Sequence, residues 1–356
     1  MTDIEERYYR LRSNGPGLII SEVAYINELG KGFEGQVGAM SEKHLSSLKK
    51  LSSAIKLNGN KAILQIFSAG LKTTPEILRG HRPISASAIA GYKSKVIPRE
   101  LTEEEILQLI DDFGNATQLA INAGFDGVEI HGANLYLLQQ FLSPSTNKRN
   151  DKWGGDIDGR LRLPKEVVKK VIEITEKNNR KDFIVGYRLS PEEPMEDGLR
   201  INETLYAALK LSELGIHYIH LSLLKFDQTP FKNKDIQTPI AQLFKNELPK
   251  NIALIVAGMV KTPNDAQKAL NLGIDLVAMA RQLIIDPNWV NKVKNGEELA
   301  IRYALSKSDY DLLAISPSLS KWLETRFKRG LTYVTDPGFD ASQPWKILYD
   351  QKGNMI

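Results

Sequence analysis

Short apolar, β-branched runs alternate with segments whose apolar residues recur every three to four positions, and the alternation continues along most of the 356-residue chain. Runs at residues 17–22, 61–67, 126–131, 183–189, 218–223, 252–257 and 275–280 have the length and composition of buried parallel strands. Helices with readable ends lie between them. Ser41 stands ahead of a Leu45, Leu48, Ile55 face that closes at Gly59. Thr102 with Glu105 and Thr262 with Asp265 fit capping boxes, Pro263 takes a first helical position, and Thr2 with Glu5 repeats the box near the start. Repeated strand–helix units imply a parallel sheet, either open and doubly wound or closed as a barrel.

The placement of polar residues favours the barrel. The apolar runs finish in Glu22, Gln65, His131, Arg188, Ser222, Gly258 and Arg281, so their carboxyl ends carry chemistry. In (β/α)8 barrels the active site occupies that face, with phosphate commonly held after the last two strands. Gly258 offers an approachable backbone there and Arg281 a fixed cation. Taken singly, such a glycine can merely turn the chain and such an arginine can pair at the surface. No Gly-x-Gly-x-x-Gly follows any strand, which argues against a dinucleotide-binding sheet. The expectation is one domain over residues 1–356, with a lid-like insertion around 68–99 and a C-terminal extension around 300–356.

Composition narrows the function classes. At 42% apolar and 25% charged residues the chain can bury a large core. Its 47 basic and 43 acidic residues are interspersed, with no dense basic run of the kind that marks nucleic-acid or membrane surfaces. No stretch reaches the roughly 18 apolar residues of a membrane span, and no targeting segment is visible, so a cytoplasmic protein is expected. The chain has no cysteine, which excludes disulfides, thiolate catalysis and iron–sulfur clusters; no metal is called for.

The most specific segment is Glu129-Ile130-His131-Gly132-Ala133-Asn134-Leu135-Tyr136, continuing to Ser143-Pro144 and Trp153-Gly154-Gly155. His131 and Asn134 can direct two N–H donors at one oxygen, polarising a conjugated bond as negative charge grows on it. Tyr136 adds a phenol that keeps its proton at neutral pH and can deliver it to carbon. Together with Leu64-Gln65-Ile66-Phe67, Pro98-Arg99-Glu100-Leu101-Thr102, Gly186-Tyr187-Arg188-Leu189-Ser190-Pro191, and Arg281 followed by Asp286-Pro287-Asn288-Trp289, this segment resembles the old yellow enzyme family, in its bacterial NADH:flavin oxidoreductase branch. The resemblance runs over nearly the whole chain. It implies an α/β (β/α)8 TIM barrel that binds FMN at the strand carboxyl ends, takes NADH or NADPH as co-substrate, and passes hydride to a small acceptor such as an enone, nitro compound or quinone. Carried over by position, His131 and Asn134 bind the acceptor oxygen and Tyr136 donates the proton. Gln65 reads the flavin pyrimidine edge, Arg188 lies beside its N1 and O2, and Gly258 with Arg281 holds its phosphate.

Three departures accompany the resemblance. Ser68-Ala69-Gly70-Leu71 replaces the family's His-x-Gly-Arg, and Ala280 replaces the glycine before the phosphate-binding arginine. The third is larger: seven strands are visible, and the family's first strand, which contacts the flavin and closes the barrel, has no counterpart after Met1. Two other readings follow. The chain is an inactive or weakly flavin-binding remnant, or it is a Schiff-base aldolase on the same barrel using Lys225 beyond the sixth strand. Partners are limited to a small-molecule acceptor, with homo-oligomerisation left open.

Overall fold

The computed structural model describes residues 1–92, 94–325 and 331–335. Seven strands form one curled, wholly parallel sheet: β1 (Leu18–Tyr25), β2 (Lys61–Phe67), β5 (Gly127–Gly132), β6 (Ile184–Leu189), β7 (Tyr218–Ser222), β8 (Ala253–Ala257) and β9 (Leu276–Ala278). They pair in chain order. A separate two-stranded ladder joins β3 (Ile84–Ser85) to β4 (Arg99–Glu100). The seven expected strands are all present. The first runs further than its sequence pattern, because the ladder to β2 slips between Ile20 and Val23 and then continues through Tyr25 opposite Phe67. Glu22 therefore sits at an irregularity inside β1 and does not end it.

Side chains alternate across the sheet. Leu64, Ile66, Val128, Ile130, Val185, Ile219, Leu221 and Val256 belong to the large core. It is shared with α1 (Asp3–Arg12), α2 (Leu45–Lys56), α3 (Glu103–Asn122), the short α4 (Leu137–Leu142), α5 (Ile157–Lys177), α6 (Ile201–Ser212), α7 (Ile240–Glu247) and α8 (Pro263–Asn271). The opposite face carries Gln65, Glu129 and Tyr218, joined to one another by hydrogen bonds. Gly186 is required on that face: a Cβ there would lie 2.0 Å from the Tyr218 ring. The capping boxes at Thr2, Thr102 and Thr262 all form. Ser41 precedes a single 3-10 turn at Glu42–His44 ahead of α2 and makes no cap bond.

Among the described residues β1 and β9 each lack a strand partner on their outer edge. Helices span the gap instead. Arg12, 5% exposed at the end of α1, donates to the carbonyls of Leu283 and Ile284 at 3.0 and 3.2 Å and to that of Leu313 at 3.1 Å. The first two lie near the C-terminus of α9 (Arg281–Ile285), where carbonyls have no helical partner and a cation is favoured. The α10 helix (Trp289–Lys294) adds a bond from Lys294 to the Gly15 carbonyl at 2.9 Å.

The 68–99 stretch packs down along much of its length, with Ser85 Oγ donating to Gln140 at 3.0 Å and Arg149 donating to the Ala86 carbonyl at 3.1 Å. Its exposed large apolar side chains are Tyr92 and Ile97. Beyond residue 300, Leu305, Leu313, Ile315, Leu323, Leu331 and Tyr333 build a small second core with Ile285 and α11 (Pro317–Thr325). The remainder of the expected C-terminal extension lies outside the described residues. No helix among the described residues is long and apolar enough to cross a membrane.

Candidate active site at the strand carboxyl ends

His131 is the penultimate residue of β5 and is buried. Its Nδ1 accepts the Ala133 backbone N–H at 3.2 Å, so in the neutral ring the proton resides on Nε2, which is left as a donor. Burial, reinforced by the charge of Arg188, lowers its pKa to about 3 against the opposing pull of Glu129. His131 is thus an uncharged N–H donor at any physiological pH.

The chain then enters two left-handed residues in succession, Asn134 at φ 58° and Leu135 at φ 62°. Each costs about 1–2 kcal/mol for a residue with a Cβ and needs support from its surroundings. That support is extensive. Asn134 N–H donates to Ser190 Oγ at 2.8 Å, Leu135 N–H to Gln139 Oε1 at 2.9 Å, and Gln140 Nε2 to the Leu135 carbonyl at 2.6 Å. Gln139 is held by the buried Glu193, which also accepts from Ser143 Oγ and from the Leu199 N–H.

Tyr136 is packed edge-on against both His131 and Phe67, with ring centroids 4.9 Å apart in each pair. Burial raises its pKa to about 12, although Arg188 pulls the other way, so the hydroxyl stays protonated. Arg188 on β6 is half-buried, donates from Nη2 to Ser222 Oγ at 3.2 Å, and keeps a buried Nε without a partner.

Beneath these groups lies Glu129, fully buried, which accepts from Gln65 Nε2, from Tyr218 at 3.0 Å and from His220 Nδ1 at 2.8 Å. Burial pushes this carboxyl up, but the Arg188 charge and the hydrogen bonds from His220 and Gln65 outweigh it and hold it below the usual carboxylate range. His220 is itself lowered, first by burial and then by Arg188. At neutral pH it therefore gives Glu129 a hydrogen bond, and Arg188 is the compensating cation. Sequence reasoning missed Glu129, His220 and Tyr218; a Glu and a His at inward positions of predicted strands were the available signal.

Gln65 spends one amide hydrogen on Glu129. Gly258 follows β8, and a Cβ there would lie 2.7 Å from the Lys225–Phe226 peptide, so this glycine is already needed for chain packing. Arg281 opens α9 and is half-buried. Lys261, buried beside it, was not anticipated: burial first, and the Arg281 charge next, lower its pKa to about 8. The side chain of Lys225 is 60% exposed and 3.4 Å from Asp227, without the desolvation that Schiff-base chemistry requires.

The expected FMN can be tested against orphaned polar atoms. Ser68 Oγ, Arg188 Nε and His220 Nε2 are buried without partners at or near the carboxyl ends of β2, β6 and β7. Such atoms are costly unless a ligand or water meets them, and a flavin ring edge carries the complementary donors and acceptors. Two potential donors, Ser68 Oγ and Arg188 Nε, and one acceptor, His220 Nε2, fit the group.

Residues 1–300 match the model of the NADH:flavin oxidoreductase / NADH oxidase family. The NADH:acrylate oxidoreductase of Vibrio harveyi is 41% identical over 297 residues, covering 82% of this chain and 30% of that protein. The probable NADH-dependent flavin oxidoreductase YqiG of Bacillus subtilis is 38% identical over 309 residues, covering 87% of this chain and 83% of its own length. Thus the chain spans about a third of one relative and most of the other. Among solved structures, morphinone reductase in complex with tetrahydroNAD superposes with a TM-score of 0.71 at 27% identity, covering 87% of this chain and 84% of that one.

Proposed function

Because the chain belongs to the NADH:flavin oxidoreductase / NADH oxidase family, we propose that it is an FMN-dependent NAD(P)H oxidoreductase of the ene-reductase type, acting on a small electron-poor acceptor such as an enone, nitro compound or quinone. Bound FMN would supply the two-electron relay between reduced nicotinamide and that acceptor. The observation that carries the reading is the end of β5, where a neutral imidazole with a free Nε2–H, an asparagine amide and a protonated phenol follow within six residues.

His131 and Asn134 donate to the acceptor's activating oxygen and stabilise the negative charge that develops there. Tyr136 holds a proton on its hydroxyl for the acceptor carbon. Gln65 and Arg188 would meet the flavin ring, Arg188 as a cation favouring its reduced form, while the Gly258 backbone and Arg281 would hold the phosphate. Lys261 adds positive potential beside Arg281. The proposal includes a cytoplasmic location, where reduced nicotinamide is available as co-substrate. A second reading, weak flavin binding, is favoured by the unpartnered edges of β1 and β9.

Titration with FMN, followed by flavin fluorescence and then by anaerobic addition of NADH or NADPH, tests the proposal. Saturable binding, bleaching of the flavin band and its return with 2-cyclohexen-1-one are expected. Absence of binding at tens of micromolar FMN refutes it.

A further inference from the structure

We infer that Ser222 is a positioning residue that fixes which end of the Asn134 side-chain amide faces the acceptor, and so makes the site selective for acceptors bearing a lone-pair oxygen. The inference rests on the functional reading above and concerns a residue to which that reading gives no role.

The orientation follows from donor counting. Arg188 has N–H groups and no acceptor, so Ser222 Oγ, 3.2 Å from Nη2, must accept from it. The serine's own proton is then free to be given away. At 2.9 Å the atom it meets is Asn134 Oδ1, an acceptor able to take that proton. Arg188 to Ser222 to Asn134 is therefore a one-way chain of donors, begun by a permanent cation. It leaves Nδ2 with its two hydrogens as the outward end of an exposed Asn134. The backbone of Asn134 is separately fixed in the left-handed region by Ser190, so the remaining freedom is rotation of the amide itself. Without Ser222 the amide can present either Oδ1 or Nδ2. A carbonyl acceptor is then met part of the time by a repelling lone pair.

Ser222→Ala and Ser222→Thr, each in wild-type and Asn134→Ala backgrounds, test the inference with 2-cyclohexen-1-one as the acceptor probe. In the wild-type background Ser222→Ala is expected to lower kcat/KM for the probe about tenfold, and Ser222→Thr, which keeps the hydroxyl, to restore most of it. In the Asn134→Ala background Ser222→Ala is expected to do nothing further, since the two residues act as one unit. An equal loss in both backgrounds overturns the inference. A readout independent of turnover is the Asn134 carboxamide resonance, assigned by its absence in Asn134→Ala and followed without flavin or acceptor. A shift of this resonance in Ser222→Ala that reverts in Ser222→Thr supports the chain, and an unchanged resonance overturns it. Should the wild-type protein fail to reduce the probe, the functional reading falls, and the carboxamide comparison still decides the orientation.

Discussion

His131 and Tyr136 sit ring against ring, and burial acts on them in opposite senses. It lowers the imidazole to about 3 and raises the phenol to about 12. A lowered base pKa means His131 is neutral at all pH values above it. A raised acid pKa means Tyr136 keeps its proton at all pH values below. Neither group titrates through the working range, so with FMN kept saturating, which removes the effect of Lys261 losing its charge at about pH 8, the rate of acceptor reduction should be flat from about pH 5 to about pH 10. A pH–rate profile with an inflection near neutrality that disappears in His131→Asn would show that the imidazole does titrate. Tyr136→Phe should leave reduction by nicotinamide intact and impair acceptors that gain a proton at carbon by about 10²-fold. Quinones, which take protons on oxygen from water, should be spared. Equal losses with an enone and a quinone would count against an acid role for Tyr136.

The loop after β5 stores the strain of two consecutive left-handed residues, and the buried Glu193 is its anchor. Glu193→Ala removes the acceptor for Gln139, Ser143 and the Leu199 N–H at once. Each buried neutral donor left without a partner costs about 1–3 kcal/mol. A melting temperature lowered by several degrees is expected, together with slowed acceptor reduction. By contrast Thr102→Ala, which removes a helix cap remote from the loop, should cost about 1 kcal/mol with acceptor reduction unchanged. If both variants melt alike and act alike, Glu193 is not the anchor. The cap at Thr102 was legible in the sequence because its partner, Glu105, is three residues away; so were the strands, whose apolar runs are local. The scaffold behind the loop was not legible, since Gln139 and Glu193 are 54 residues apart and meet only through the fold. Separation in sequence also hid the cluster in which Tyr218 and His220 lie 89 and 91 residues from Glu129. The end of β1 was misread for a different reason: Glu22 looks like a strand terminus, while the register slip that lets the strand pass it has no sequence mark.

At the scale of the molecule, the sheet is held at its two edges by helices and not by strands, with Arg12 as the clamp between α1 and α9. Apart from Tyr25, whose backbone pairs with Val37 and Ala39, the outer edges of β1 and β9 carry no strand ladder among the described residues, and apolar side chains such as Leu276, 46% exposed, lie on the rim. A fused strand of alternating apolar residues that pairs between β1 and β9 should stabilise the fold and tighten FMN binding. Because a ligand that binds only the native state stabilises it more the tighter it binds, added FMN should raise the melting temperature of that fusion more than that of the chain itself at equal free ligand. Equal shifts would show that the open sheet already binds the cofactor fully. The central claim is the proposal that His131 and Asn134 at the carboxyl end of β5 activate the acceptor and are not needed for flavin reduction. Anaerobic stopped-flow spectroscopy separates these half-reactions, with flavin bleaching by reduced nicotinamide in one and its return with 2-cyclohexen-1-one in the other. Asn134→Ala and His131→Ala are each predicted to slow the second about 10²-fold, as loss of one oxyanion donor does, and to affect the first much less; unchanged reoxidation, or an equal slowing of both steps, would contradict the account.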